Sequence, residues 1–243
     1  MSVTALVLLH GVGLDHTVWE PVIARLPGSM RIVQPDLPGH GSNPPAPDGV
    51  TLTYLATGVA DQIPAGSHIV GFSLGALVAQ HLAVHRPDLV ASLTSVSSVC
   101  DRTPEERTAV LARLRGATED FAGSVAASLH RWYDGTAVDS DRVARTRATL
   151  LANDPASFVN CYKVFATADA QIAPDLSRIT APALAITGEC DPGSTPEMTH
   201  RLAAAIPDCH AVVVPGARHM LPVERPVELV HHISTFLKRF SHV

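Results

Sequence analysis

The sequence predicts an α/β domain built on a doubly wound, mostly parallel sheet of about six strands, with an insertion of helices. Short apolar segments alternate with segments of helical periodicity, which is the pattern of parallel strands joined by crossover helices. The chain has 243 residues, of which 46% are hydrophobic and 17% charged. This length and composition supply the core of one such domain.

The first half of the chain contains four predicted strands with helices between them. The strands are predicted over 5–9, 31–34, 69–72 and 93–96. The helices are predicted over 17–26, 52–62 and Leu74–His85. Because the first strand is apolar at every position, we expect it to be buried on both faces.

The alternation of strands and helices stops after residue 100. Only helical patterns occur from 104 to about 169, over 104–115, 119–132, Ser140–Leu151 and 155–168. Strands resume at 183–187 and 211–214, and a helix over 226–239 closes the chain. An all-helical block between two parallel strands lies at their carboxyl ends. We therefore predict a core of residues 1–100 and 176–243 and a helical cap of residues 101–175.

Charge and composition exclude several classes of partner. The net charge is -5 with no long run of either sign, which argues against nucleic acid or an anionic membrane. No segment has the uninterrupted apolar length of a membrane span. The apolar run from Val3 to Leu9 has no basic residue before it, which indicates a strand and not a signal peptide. The four cysteines lack metal-ligand spacing, so we expect free thiols in a cytoplasmic protein without metal.

The segment Gly71-Phe72-Ser73-Leu74-Gly75 is a Gly-x-Ser-x-Gly turn between a predicted strand and a predicted helix. A serine on such a turn has strained backbone and a hydroxyl exposed above the sheet. Side chains two residues before and after it would clash, so glycine is required there. The amino terminus of the following helix stabilises negative charge that develops near the serine. Ser73 is therefore the predicted nucleophile.

A serine nucleophile needs a base, an acid that orients the base, and donors for an oxyanion. Among 13 histidines, His219 is selected by its position after the last predicted strand. Two acids follow strands, Asp191 after 183–187 and Asp101 after 93–96. The backbone N–H groups of Val12 and Leu74 are the predicted oxyanion donors.

These motifs, in this order, resemble the α/β-hydrolase superfamily over nearly the whole chain. His10-Gly11 resembles the family's oxyanion loop, and the run Asp-Leu-Pro-Gly-His-Gly-Ser at 36–42 resembles the loop after its next strand. Gly-Glu-Cys-Asp at 188–191 and Gly-Ala-Arg-His at 216–219 match the acid and histidine positions. The resemblance implies the order Ser, Asp, His, and its acid loop matches this sequence at Asp191, which favours Asp191 over Asp101. It also implies six parallel strands without the usual amino-terminal edge hairpin.

A closer resemblance is to the 3-oxoadipate enol-lactonase group. It is carried by Arg-Trp-Tyr at 131–133, Leu-Ala-Asn-Asp-Pro at 151–155, Thr-Pro-Glu-Met at 195–198 and Leu-Ala-Ala-Ala-Ile-Pro at 202–207. The His10-Gly11 pair departs from that group. The resemblance implies that Trp132 contacts the substrate and that Arg131 binds a substrate carboxylate, although a solvated surface arginine fits position 131 equally well.

The predicted function is that of a serine hydrolase acting on a small carboxylic ester or lactone, without a cofactor. A carbon–carbon bond hydrolase or a cofactor-free perhydrolase would use the same triad. A slow-turnover small-molecule receptor on the same fold is a further alternative. The oligomeric state is left open by the sequence.

Overall fold

A computed structural model describes residues 4–240, and their six strands form one sheet in the order β2-β1-β3-β4-β5-β6. Every neighbouring pair is parallel, which confirms the predicted sheet. The strands are β1 (Leu6–Leu9), β2 (Ile32–Val33), β3 (Ser67–Phe72), β4 (Val90–Val96), β5 (Ala183–Gly188) and β6 (Cys209–Val214). Val3, in the apolar run before β1, lies outside the described residues.

Helices cover the sheet on both faces. They are α1 (Glu20–Ile23), α2 (Leu52–Ala60), α3 (Leu74–His85), α4 (Pro104–Glu119), α5 (Phe121–Tyr133), α6 (Ser140–Leu151), α7 (Pro155–Ile172), α8 (Pro196–Ala205), α9 (Leu221–Glu224) and α10 (Pro226–Leu237). Helix α3 packs on β3, β4 and α2, whereas α1 packs on α10. The sheet is therefore enclosed between helices, as its apolar strands require.

Strand order reverses between β1 and β3. From β1 the chain moves outward to the edge strand β2, and it then returns to place β3 on the other side of β1. The loops that follow β1 and β3 consequently diverge and leave a crevice at the carboxyl edge of the sheet. Val12 follows β1 and Ser73 follows β3, so both lie at this crevice.

Helix α3 is the centre of the core. Ten of its twelve residues are buried, and all four residues of β1 beside it are buried too. The one buried amide of the helix, Gln80, donates hydrogen bonds to Ser95 Oγ at 3.2 Å and Ser98 Oγ at 2.9 Å. These bonds satisfy the amide nitrogen and fix α3 against β4.

The inserted helices α4–α7 are tied to the rest of the chain by buried polar contacts. Ser157 Oγ donates to the Gly39 carbonyl at 3.0 Å and accepts from the Ala46 N–H at 2.8 Å. Arg102 Nη1 donates to Asp169 Oδ1 at 2.8 Å, and both side chains are buried. Because a buried charge is costly without its partner, these contacts fix the placement of α7.

Three elements differ from the prediction. The predicted helix over 17–26 is a 3₁₀ turn, His16–Trp19, followed by the short α1, and Pro27-Gly28 ends the helical conformation. The predicted strand over 31–34 keeps only the two residues of β2, which pair with β1 alone. The helix predicted over 119–132 begins at Phe121, because the Asp120 side chain accepts the Gly123 N–H. Helices α8 and α9 were not predicted.

Two further observations concern membrane spans and the cysteines. No helix within residues 4–240 has the length and apolar character needed to cross a membrane. The cysteines at 100, 161, 190 and 209 are all free thiols. Burial raises the pKa of the Cys100 and Cys161 thiols to about 12, so both are protonated at neutral pH.

Two buried histidines join the loops that follow β1 and β2. His10 Nε2 accepts the Leu37 N–H at 2.9 Å, so its proton is on Nδ1, which donates to the Gly11 carbonyl at 2.8 Å. His40 packs edge-on against His10 with ring centroids 5.1 Å apart. Burial lowers the pKa of His10, and burial together with the charge of His10 lowers the pKa of His40 to about 3.

These pKa values predict a loss of stability in mild acid. The folded pKa of His40 is below its unfolded value of 6.5, so its contribution is complete above pH 6.5 and is lost as the pH falls toward 3. Each such histidine gives the free energy of unfolding a slope of about 1.4 kcal/mol per pH unit. We expect His40→Gln to flatten this slope between pH 6.5 and 5, measured by urea unfolding. The exposed His210→Gln should retain the wild-type slope, and an unchanged slope in His40→Gln would refute the assignment.

Candidate active site

Ser73 has backbone angles of φ 54° and ψ -113°, a strained conformation for a residue with a side chain. Its position between β3 and α3 is enforced by two glycines. A Cβ at Gly71 would overlap the Gly75 carbonyl, and a Cβ at Gly75 would overlap the carbonyl oxygens of Leu9 and His10. The turn therefore needs glycine at both positions for backbone packing, as the sequence predicts.

His219 and Asp191 are brought together from two loops. The Nδ1 atom of His219 lies 2.6 Å from Asp191 Oδ2. The other carboxylate oxygen, Oδ1, accepts the N–H groups of Gly193 at 2.8 Å and Ser194 at 2.9 Å. With an ionised Asp191 as acceptor, the proton of a neutral His219 is on Nδ1, which leaves Nε2 able to accept a proton.

Aromatic rings hold the imidazole of His219. The Trp132 indole stacks on it with centroids 5.6 Å apart and planes at 24°, and the Phe72 ring lies 5.1 Å from it. The Ser97 hydroxyl donates to the His219 carbonyl at 3.0 Å. The orientation of this ring is thus fixed by packing as well as by Asp191.

One cavity at the carboxyl edge of the sheet is lined by Val12, Ser73, Asp191 and His219. Its volume is about 50 Å³. A water needs about 10–15 Å³ measured in this way, so the cavity has room for a few waters. Most of the apolar lining comes from the inserted helices and comprises Val125, Trp132, Leu150, Phe158, Tyr162 and Phe165.

Six of the predicted site residues line the cavity, whereas Leu74 and Asp101 do not. Val12, Ser73, Arg131, Trp132, Asp191 and His219 line the cavity. Leu74 is fully buried at the start of α3, directly after Ser73. Asp101 is exposed and is not among the residues that line the cavity, and within residues 4–240 the acidic partner of His219 is Asp191.

Arg131 lies on α5 and is half-buried at the cavity. Its Nη2 atom donates to Ser128 Oγ at 2.8 Å. Burial is the main cause of the lowered pKa of its guanidinium, and the positive charge of Arg113 lowers it further. The sequence did not identify Arg113, which also lines the cavity. The available signal was its spacing from Val110 and Ala117, which are buried three residues before and four residues after it on α4.

The sequence model of the alpha/beta hydrolase family matches residues 6–232. The chain belongs to this family. One relative, the (E)-2-((N-methylformamido)methylene)succinate hydrolase of Acinetobacter baylyi, is 28% identical over 237 residues, which cover 96% of this chain and 90% of the relative. The 3-oxoadipate enol-lactonase 1 of the same organism is 29% identical over 241 residues, covering 96% of this chain and 88% of the relative.

Solved structures of the family share the fold. The enol-lactonase from Burkholderia xenovorans LB400 superimposes with a TM-score of 0.83 and 24% sequence identity, covering 98% of this chain and 92% of that one. At this identity the likeness concerns the fold. The predicted α/β-hydrolase fold and the predicted resemblance to enol-lactonases are therefore both confirmed.

Proposed function

We propose that this protein is a serine hydrolase that cleaves a small carboxylic ester or lactone through an acyl-enzyme. The observation that carries the proposal is the 2.6 Å contact between His219 Nδ1 and Asp191 Oδ2, made beside a cavity that Ser73 also lines. In this proposal Ser73 is the nucleophile, His219 the general base and Asp191 the acid of the triad.

The reaction has two halves. Ser73 Oγ attacks the carbonyl carbon and its proton passes to His219 Nε2. Asp191 stabilises the imidazolium, which then returns the proton to the alcohol oxygen as the ester bond breaks. A water that gives its proton to His219 attacks the acyl-serine, and the proton passes to Ser73 Oγ as the acid leaves. When the substrate is a lactone, the carboxylic acid and the alcohol formed by hydrolysis are two groups of one molecule.

The oxyanion is assigned to the N–H groups of Val12 and Leu74. Neither group donates any of the turn and loop hydrogen bonds of residues 4–240. The Leu74 N–H belongs to the first turn of α3, where backbone donors have no partner within the helix. Both N–H groups are backbone donors, and the amino terminus of α3 adds its positive partial charge beside the reacting carbonyl.

We assign residues 101–175 as a cap that selects the substrate, with Trp132 and Arg131 in contact with it. The half-buried guanidinium of Arg131 suits an acidic ester or lactone. The names of two relatives support an acidic substrate, because succinate and 3-oxoadipate are both dicarboxylic acids. The indole of Trp132 packs on the apolar body of such a molecule.

A panel of esters and lactones with the purified protein tests the activity itself. A serine-directed phosphonate is expected to add once, at Ser73, and to abolish hydrolysis. Mass spectrometry of the labelled peptide identifies the site. Labelling at the exposed Cys190, or ester hydrolysis retained by Ser73→Ala, would contradict the proposal.

Replacing the two candidate acids separates their roles. Asp191→Asn is expected to lower kcat by about 10⁴-fold, because the amide presents a donor to Nδ1 and favours the wrong tautomer of His219. Asp101→Asn, at an exposed position away from the cavity, is expected to change kcat much less. Steady-state kinetics on one neutral ester measures both, and the reverse ranking would reject Asp191.

Substrate charge tests the role of Arg131. Arg131→Met should raise KM for an acidic ester about tenfold relative to a neutral ester of equal length, since a charge-assisted hydrogen bond contributes about 1.5–3 kcal/mol. Arg147→Met removes the same charge from an exposed site on α6 and is the matched control. Equal losses on acidic and neutral esters would mean that Arg131 only supports the fold.

A further inference from the structure

A second arginine reaches the cavity from a different helix. Arg113 lies in the third turn of α4 and lines the cavity together with Arg131 of α5. Both side chains are half-buried. Two arginines, each on its own helix, thus line the cavity that Ser73 also lines.

Within the described residues, neither guanidinium has an acidic partner. The ion pairs formed within residues 4–240 involve other arginines and do not include Arg113 or Arg131. Asp191 is the acidic residue among those that line the cavity, and its oxygens are already bound to His219, Gly193 and Ser194. The cavity therefore contains two uncompensated positive charges.

This arrangement is costly without a ligand. Arginine cannot lose its proton in a protein, so the partial burial of Arg131 leaves its charge in place at a desolvation cost. The positive charge of Arg113 also contributes to the lowered pKa of Arg131. The other described arginine that is more deeply buried, Arg102, is paired with Asp169 at 2.8 Å. The absence of such a partner at Arg113 and Arg131 indicates that an anion from outside the chain completes the site.

We propose that the cavity takes a substrate bearing two carboxylates besides the ester or lactone group, one bound by Arg113 and one by Arg131. This inference names the substrate class of the proposed hydrolase and so rests on that function. A planar guanidinium binds a carboxylate through two parallel hydrogen bonds. Arg131 keeps one N–H on Ser128 Oγ and still has donors for such a pair. A monoanion would neutralise one charge and leave the other, whereas a dicarboxylate neutralises both.

Binding of simple acids tests the proposal without turnover. Calorimetry on the full-length wild type compares succinate, glutarate and adipate with butyrate, valerate and hexanoate, which have the same carbon numbers. We expect the diacid that binds best to bind at least about tenfold more tightly than the monoacid with the same carbon number, because it forms one additional charge-assisted pair. Inorganic phosphate is included as a compact anion that both guanidiniums could hold together.

A variant of Arg113 tests whether this residue causes the tighter binding of the diacid. Arg113→Met is expected to reduce the affinity for the best diacid about tenfold, to the level of the monoacid, while the affinity for the monoacid changes little. Arg115→Met is the matched control, because Arg115 is exposed on the same helix and does not line the cavity. Circular dichroism checks that each variant is folded. If a variant does not fold, the comparison of diacids and monoacids on the wild type still tests the proposal.

The outcomes are distinct. Equal affinity for diacid and monoacid, or tighter binding of phosphate than of any diacid, would mean that the guanidiniums hold one anion, and the proposal would be wrong. An equal loss in Arg115→Met would indicate unspecific charge attraction and would also overturn it. If the diacid binds as expected but no ester or lactone is cleaved, the proposed function fails and the dicarboxylate site stands.

Discussion

The close approach of backbone at Gly71 and Gly75 is the constraint on which the rest of the structure depends. Because neither residue has a Cβ, α3 begins directly against the end of β1. The turn from β3 into α3 holds Ser73 at a positive φ. The Ser73 N–H donates to the Val96 carbonyl at 2.9 Å, which fixes the turn to β4 as well. A strained conformation persists only where its surroundings determine it, and here strands on both sides do so.

Hydrogen bonds join the inserted helices to the loops that carry Val12 and His219. Asn153 Nδ2, in the inserted helices, donates to the Gly13 carbonyl at 2.8 Å, in the loop that carries Val12. Arg218 Nη1 donates to the Arg131 carbonyl at 3.0 Å and so joins the loop of His219 to the end of α5. The inserted helices that line the cavity are therefore held by hydrogen bonds to the loops that carry the proposed catalytic groups, which favours a fixed distance between the two.

The sequence predicted the features that local patterns encode. The sheet followed from apolar strands, and the Ser73 turn followed from its two glycines and the helix after it. Position after the last strand singled out His219, whereas the choice of Asp191 over Asp101 needed the family resemblance, and the structure places Asp191 in contact with His219. Arg113 could not be found in this way, because a charge on α4 points to the cavity only after α4, α5 and α7 are packed together. The length of β2 was overestimated for a similar reason, since an edge strand depends on its one neighbour.

The distribution of charge in the cavity agrees with the proposed chemistry. The base must become an imidazolium, and a cation about 5 Å from it would oppose this by about 3 kcal/mol at an effective dielectric constant of 20. The neighbour stacked on His219 is instead the indole of Trp132, whose face favours a cation. Arg131 is adjacent to Trp132 in the chain, and Arg113 comes from another helix. Trp132 thus belongs to both halves of the proposed site, because it stacks on the proposed base and lines the same cavity as Arg113 and Arg131.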